Sequence, residues 1–185
     1  MKELSLNILD ITENSVKAGA TLTEISLCEN EDTMVLTITD NGSGMTEEIL
    51  KGVADPFYTT RTTRKVGLGI PLLKLACEQT GGSLEISSKH IEKFPDNHGT
   101  KVSATFYKNH IDCVPLGDVV ETVKTLIQGH PDTDFKFSHK TENGEVALDT
   151  RELRQMLEDV PLNTYEVIKW IEEYLREQYL EIQKA

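Results

Sequence analysis

The chain has 185 residues, with 31 acidic against 19 basic side chains and a formal net charge of -12. That length accommodates one core of ordinary size plus a smaller appendage, and the charge excludes broad electrostatic binding to nucleic acid or an anionic membrane. Cys28, Cys77 and Cys113 are odd in number and lack metal-ligand spacing, no apolar run is long enough to span a bilayer and no basic signal segment opens the chain, so it reads as a cytoplasmic protein with free thiols.

From Lys2 to about Ala18 the sequence predicts an amphipathic helix, with Leu4, Ile8, Ile11 and Ser15 along one face. Asp10, Glu13, Asn14 and Lys17 recur at helical spacing on the opposite, polar face. Gly19 stops this helix. Alternating β-branched and apolar residues predict strands over Thr23–Glu29 and Thr33–Thr39, joined by a hairpin turn at residues 30–32. Thr46 is placed to cap a short helix that carries Glu47 and Glu48 in its first turn. Residues 55–69, rich in Thr, Arg and Gly, form a connection long enough to be a lid or binding loop. A helix follows from Pro71, taken as its first residue, to about Gln79. Strands over Ser83–Ser88 and Lys101–Tyr107 complete a mostly antiparallel sheet whose helices cover one face, an α+β two-layer sandwich.

Beyond Tyr107 the pattern changes. Val119, Val120, Val123, Leu126 and Ile127 mark a helix, and Asn143-Gly144 marks a hairpin between Phe135/Phe137 and Val146/Leu148. Asp149 with Glu152, and Asn163 with Glu166, have the spacing of capped helix starts. These elements divide the chain into residues 1–110 and a small helix-hairpin-helix extension at residues 111–185.

Chemistry concentrates in three places. Asp40, at a strand end and followed by Gly42 and Gly44, can accept a hydrogen bond from an exocyclic amine while the glycines admit a ligand to the backbone. Gly67-Leu68-Gly69 runs into a helix and can offer backbone N–H groups to phosphate. On the polar face of the first helix, Asn14 can give its amide oxygen to a hard cation, with Glu13 as a water-orienting base and Lys17 as a phosphate contact. Neither glycine cluster fits the Walker or Rossmann pattern.

Taken together in order, Glu13-Asn14-Ser15-Val16-Lys17-Ala18-Gly19-Ala20, Asp40-Asn41-Gly42-Ser43-Gly44-Met45, Asp55-Pro56-Phe57-Tyr58-Thr59-Thr60-Arg61, Gly67-Leu68-Gly69-Ile70 and Gly99-Thr100 resemble the asparagine, glycine and phenylalanine boxes of the GHKL superfamily. Those are the ATPase domains of gyrases, heat-shock chaperones, bacterial histidine kinases and mismatch-repair proteins. The resemblance implies ATP and Mg2+ as ligands and the two-layer fold of the histidine-kinase and gyrase ATPases for residues 1–110. It makes Asn14 the magnesium ligand and Asp40 the carboxylate that reads adenine, with Gly42, Gly44 and Met45 in the adenine loop and Thr100 beside the base. It further implies a mobile lid from Phe57 to Gly69, with Thr60, Arg61, Gly67, Leu68 and Gly69 at the nucleotide and Arg64 and Lys65 as further lid cations.

Asp-Pro-Phe-Tyr-Thr-Thr-Arg and Lys17 resemble the histidine kinases, whereas Glu13-Asn14-Ser15 with Ala18-Gly19-Ala20 resembles the gyrase and mismatch-repair branch, in which a glutamate activates water. The asparagine box lies close to the start of the chain, so no upstream helical hairpin bearing a phospho-accepting histidine is expected. His110, with Pro115 and Leu116 after it, repeats the spacing of a phospho-acceptor box and reads as a solvent-facing linker histidine. The expected activity is that of an ATPase or protein phosphotransferase acting with a separate protein, docked by residues 111–185, as a monomer or an oligomer. A serine kinase that regulates a sigma factor and a non-catalytic nucleotide-gated module are the alternatives.

Overall fold

The computed structural model describes residues 3–55 and 68–184. Helix α1 (Leu4–Lys17) is followed by the hairpin β1 (Leu22–Glu29) and β2 (Thr33–Asp40), the short α2 (Glu47–Gly52), α3 (Gly69–Gln79), and strands β3 (Ser83–Lys89) and β4 (Gly99–Tyr107). Then come α4 (Val119–Gly129), the hairpin β5 (Asp134–Thr141) and β6 (Gly144–Asp149), α5 (Thr150–Leu157) and α6 (Tyr165–Lys184).

The strands form a single six-stranded sheet in the order β3-β4-β2-β1-β5-β6. Every pairing is antiparallel except β1 with β5, which run parallel with Ile25 opposite Phe137 and Leu27 opposite His139. Residues 111–185 therefore add their hairpin to the edge of the sheet that the first part of the chain begins. Period-two alternation sends one set of side chains to the helices: Ile25 and Leu27, Met34, Leu36 and Ile38, Val102, Ala104 and Phe106, Phe135 and Phe137, and Val146 are all buried. The other face is polar, with Thr37 bonded to Ser103 at 3.1 Å and Lys136 paired with Glu24 at 3.3 Å. The helices lie in a row on the apolar face: α3 touches β3 and β4, α1 touches β1 and β2, α4 touches β5, and α6 touches β6. This is the two-layer α+β sandwich that the alternation predicted.

Local starts and stops follow side-chain chemistry. Thr46 caps α2 by accepting from the Ile49 N–H, and Asp149 caps α5 by accepting from Arg151. Two expected starts move. Helix α3 begins at Gly69, so Pro71 is its third residue; proline is tolerated there because the first four N–H groups of a helix lack intrahelical partners. The last helix begins at Tyr165, where the Thr164 carbonyl accepts the first intrahelical bond from Ile168, so Asn163 stands outside it.

A charged cluster ties the added hairpin to the first part of the sheet. The buried His139 bonds Glu29 at 2.8 Å through one ring nitrogen and the Tyr179 hydroxyl at 2.8 Å through the other, while Lys108 pairs with Glu29 at 2.8 Å. The hydrogen bond from His139 outweighs desolvation and, with Lys108, holds the Glu29 carboxyl down at about 2. A carboxylate depressed on folding adds stability that is full above its unfolded value of 4.5 and is lost as the pH falls toward 2. Glu29→Gln is therefore expected to cost about 2 kcal/mol at neutral pH. In urea unfolding followed by circular dichroism, the gap from the native chain should close between pH 4.5 and 2, and a gap that is constant with pH would contradict this account.

Candidate functional site

The site is built around Asp40, the last residue of β2. Its Oδ2 accepts from the Ser15 hydroxyl at 2.7 Å, and its Oδ1 accepts from the Gly42 N–H at 2.9 Å and the Thr100 N–H at 3.3 Å. Ser15 reaches it because it lies on the buried face of α1, and Thr100 because it is the register partner of Asp40 on β4. An ionised carboxylate has about four acceptor positions. Three are used, and the one left lies on Oδ2.

The loop after Asp40 is fixed by backbone packing that excludes side chains. Gly44 has φ +68, and a Cβ there would overlap the Lys89 carbonyl; Gly99 has φ +136, and a Cβ there would overlap the Asp40 carbonyl. The Ile91 N–H donates to the Ser43 carbonyl at 2.9 Å, and His98 Nδ1 meets the Gly42 carbonyl at 2.6 Å. The Met45 N–H donates to Ser88 Oγ at 2.7 Å, and Ser88 also bonds Thr100 Oγ1 at 2.8 Å. The β3–β4 connection is thus bolted onto the glycine loop. That role of His98 and Ser88 had no signal in the sequence, because it depends on which loop crosses which.

Helix α1 forms the adjoining wall. Asn14 is half-buried, and its side-chain amide engages no partner among the described residues; Lys17 is exposed in the last turn. The polar residues of α1 divide between two neighbours. Asp10 faces the start of α3, where a Cβ on Gly69 would stand 3.2 Å from Asp10 Oδ2, whereas Glu13 pairs with His130 Nε2 at 2.7 Å at the C-terminal end of α4. Residues four apart stack on a helix and consecutive residues diverge, so Asp10 shares the Asn14 face and Glu13 turns from it. The bond from Glu13 to His130 had no signal in the spacing of the polar face.

Leu68 is the exposed residue preceding α3, and Gly69 opens that helix with free N–H groups, the arrangement that binds phosphate. Phe57, Thr60, Arg61, Arg64, Lys65 and Gly67 lie outside the described residues. His110 is exposed in the connection after β4, with Nδ1 3.6 Å from Asp112. Among the described residues, no group of three or more His, Cys, Asp or Glu could hold a metal by itself. Magnesium is satisfied with one or two protein ligands plus phosphate oxygens, and the uncommitted Asn14 amide fits that demand. No helix among the described residues is long and apolar enough to cross a membrane.

Residues 2–110 match the family model described as histidine kinase-, DNA gyrase B- and HSP90-like ATPase. Over 94 residues, 48% of this chain, the sequence is 32% identical to the sensor protein KdpD of Clostridium acetobutylicum and 33% identical to the sensor protein SrrB of Staphylococcus aureus. Those matches span 10% and 16% of the two sensor proteins. In structure the chain is similar to the MutL ATPase domain of Aquifex aeolicus complexed with ADP, with a TM-score of 0.54, 13% identity and coverage of 100% of this chain and 70% of that one.

The packing of Gly44 can be tested directly. Gly44→Ala is expected to destabilise the fold by about 2–4 kcal/mol, from a left-handed φ and a backbone overlap together. Gly81→Ala, at φ +82 with only Tyr107 near and 3.9 Å away, should cost about 1 kcal/mol. Equal losses in thermal unfolding would mean that the Lys89 contact carries no weight.

Proposed function

The chain belongs to the histidine kinase-, DNA gyrase B- and HSP90-like ATPase family, and from that membership we propose that it binds ATP with magnesium beside α1 and slowly releases phosphate. The observation that carries the reading is the Asp40 carboxylate, held by three donors with one acceptor position left. That position suits the single amine of adenine. Guanine would bring two neighbouring donors, N1–H and N2–H, to a group that can receive one.

Around the phosphates, the N–H groups of Gly69 and Ile70 at the start of α3 offer a site of partial positive charge. Asn14 would hold magnesium, which when bound neutralises phosphate charge and fixes the orientation of the triphosphate. Of the carboxylates on α1, Asp10 is the better general base, because it shares the Asn14 face and lies against Gly69. In this scheme the Asp10 carboxylate takes a proton from water as its oxygen bonds to the γ-phosphorus, and ADP leaves with the electron pair of the broken P–O bond. Lys17 and the lid residues Phe57, Thr60, Arg61, Gly67 and Leu68 would complete the contacts.

A second reading, transfer of phosphate to a separate protein, draws support from α6. Trp170 stacks on Tyr174 with ring centroids 4.8 Å apart and both are exposed, a pair of the kind that anchors protein contacts. Under it, residues 111–185 serve as the docking extension. Incubation with γ-labelled ATP and magnesium, with and without cell extract, separates free phosphate from labelled protein.

Asp40→Asn is expected to lower ATP affinity by about 1–3 kcal/mol, the cost of a mismatched buried polar group, with the fold intact by circular dichroism. The native chain should bind ATP well and GTP weakly in calorimetry; equal affinities would rule out the assignment of Asp40. For hydrolysis, Asp10→Asn should slow phosphate release by about 10²-fold, the usual scale for a lost general base. A larger loss in Glu13→Gln would give the role to Glu13.

A further inference from the structure

Glu13 occupies an unusual place, one residue before the proposed magnesium ligand yet bonded to an element from the far end of the chain. Its partner His130 caps the C-terminal end of α4, and its backbone is bonded on both sides. The His130 N–H donates to the Leu126 carbonyl at 3.0 Å, and the His130 carbonyl accepts from Thr133 at 3.1 Å. Arg154 braces the same turn, donating through Nε to Asp134 at 2.7 Å and through its terminal nitrogen to the Pro131 and Thr133 carbonyls, while the Asp134 N–H donates to the Thr21 carbonyl at 2.9 Å. The backbone that carries the imidazole is therefore braced, and the Glu13 side chain, with three rotatable bonds against two for His130, has the greater freedom to move.

We propose that His130 is a positioning residue for the nucleotide site, holding the Glu13 carboxylate on the α4 flank so that its charge stays away from the phosphates bound beside Asn14. The 2.7 Å contact between Glu13 Oε1 and His130 Nε2 carries the proposal. It rests on the reading that Asn14 faces the triphosphate. Released from the imidazole, Glu13 is free to swing toward Asn14, where its negative charge opposes the γ-phosphate most and the β-phosphate less. In this way the extension, lying outside the residues that match the ATPase family, acts on nucleotide affinity without touching nucleotide.

The test is calorimetric titration of the full chain with ATP and with ADP, magnesium present, with thermal unfolding as a check that each variant folds. His130→Ala should weaken ATP binding about fivefold, the scale of one uncompensated charge at a partly solvated distance, and ADP binding less. His130→Gln, which keeps a donor in reach of Glu13, and the double variant His130→Ala/Glu13→Gln should both return to the native affinity. Should the alanine variant fail to fold, His130→Asn, too short to reach Glu13, replaces it in the same comparisons. Unchanged ATP affinity on losing His130 overturns the proposal, and so does a loss that persists in the double variant, which would assign the effect to the 130–134 turn itself. Absence of ATP binding by the native chain would instead sink the nucleotide reading, and the proposal with it.

Discussion

The short bond from the Ser15 hydroxyl to Asp40 joins the two layers of the molecule at the point where chemistry is expected. Ser15 belongs to the buried face of α1 and Asp40 to the end of β2, so the helix can take only one height and one rotation over the sheet if the bond is to form. Setting that rotation also sets the faces on which Asp10, Glu13 and Asn14 emerge. The Thr100 N–H, supplied by strand register, completes the arrangement from a third element. Removing the serine hydroxyl would leave the carboxylate with a second open position, and with it a weaker preference for one donor over two.

Helix α1 has to serve the core and the site together, and it is held along its whole length. Its first N–H groups donate to the Pro115 and Leu116 carbonyls at 2.9 and 2.8 Å, the Ser5 carbonyl accepts from Thr122 at 3.2 Å, and Glu13 meets His130. All of those partners come from the connection after β4 or from α4. On the other side α3 brings Gly69 against Asp10. A helix pinned this way can present functional groups precisely spaced for a ligand without reorganisation on binding, which is how rigid elements support a site better than loops.

Much of this was legible locally. Alternation gave the strands to within a residue or two, and Thr46 and Asp149 gave helix starts, because period and capping are properties of short segments. The ordered asparagine and glycine boxes gave the family and the fold. Other features needed contacts far apart in sequence. The parallel pairing of Ile25 with Phe137 has no local signal, since a buried strand reads the same whichever neighbour it takes. The pairing of His130 with Glu13, across 117 positions, is of the same kind. For Glu13, adjacency to Asn14 in sequence carried the expectation, and the contact that the fold adds comes from an element that spacing on α1 does not reveal.

The placement of β5 also bears on how residues 1–110 and 111–185 depend on each other. β1 has β2 on one side and β5 on the other, and the buried Ile25 and Leu27 of β1 share one apolar layer with Phe135, Phe137, Val123 and Ile127. Without residues 111–185 the outer edge of β1 would present unpaired N–H and C=O groups, and the α4 flank of α1 would face water. The extension thus covers an edge and a helix flank that the first part of the chain leaves open, and it does so beside the wall that carries Asn14. The extension meets α1 at the Glu13–His130 pair, two residues before Ser15 makes its bond to the carboxylate at the end of β2.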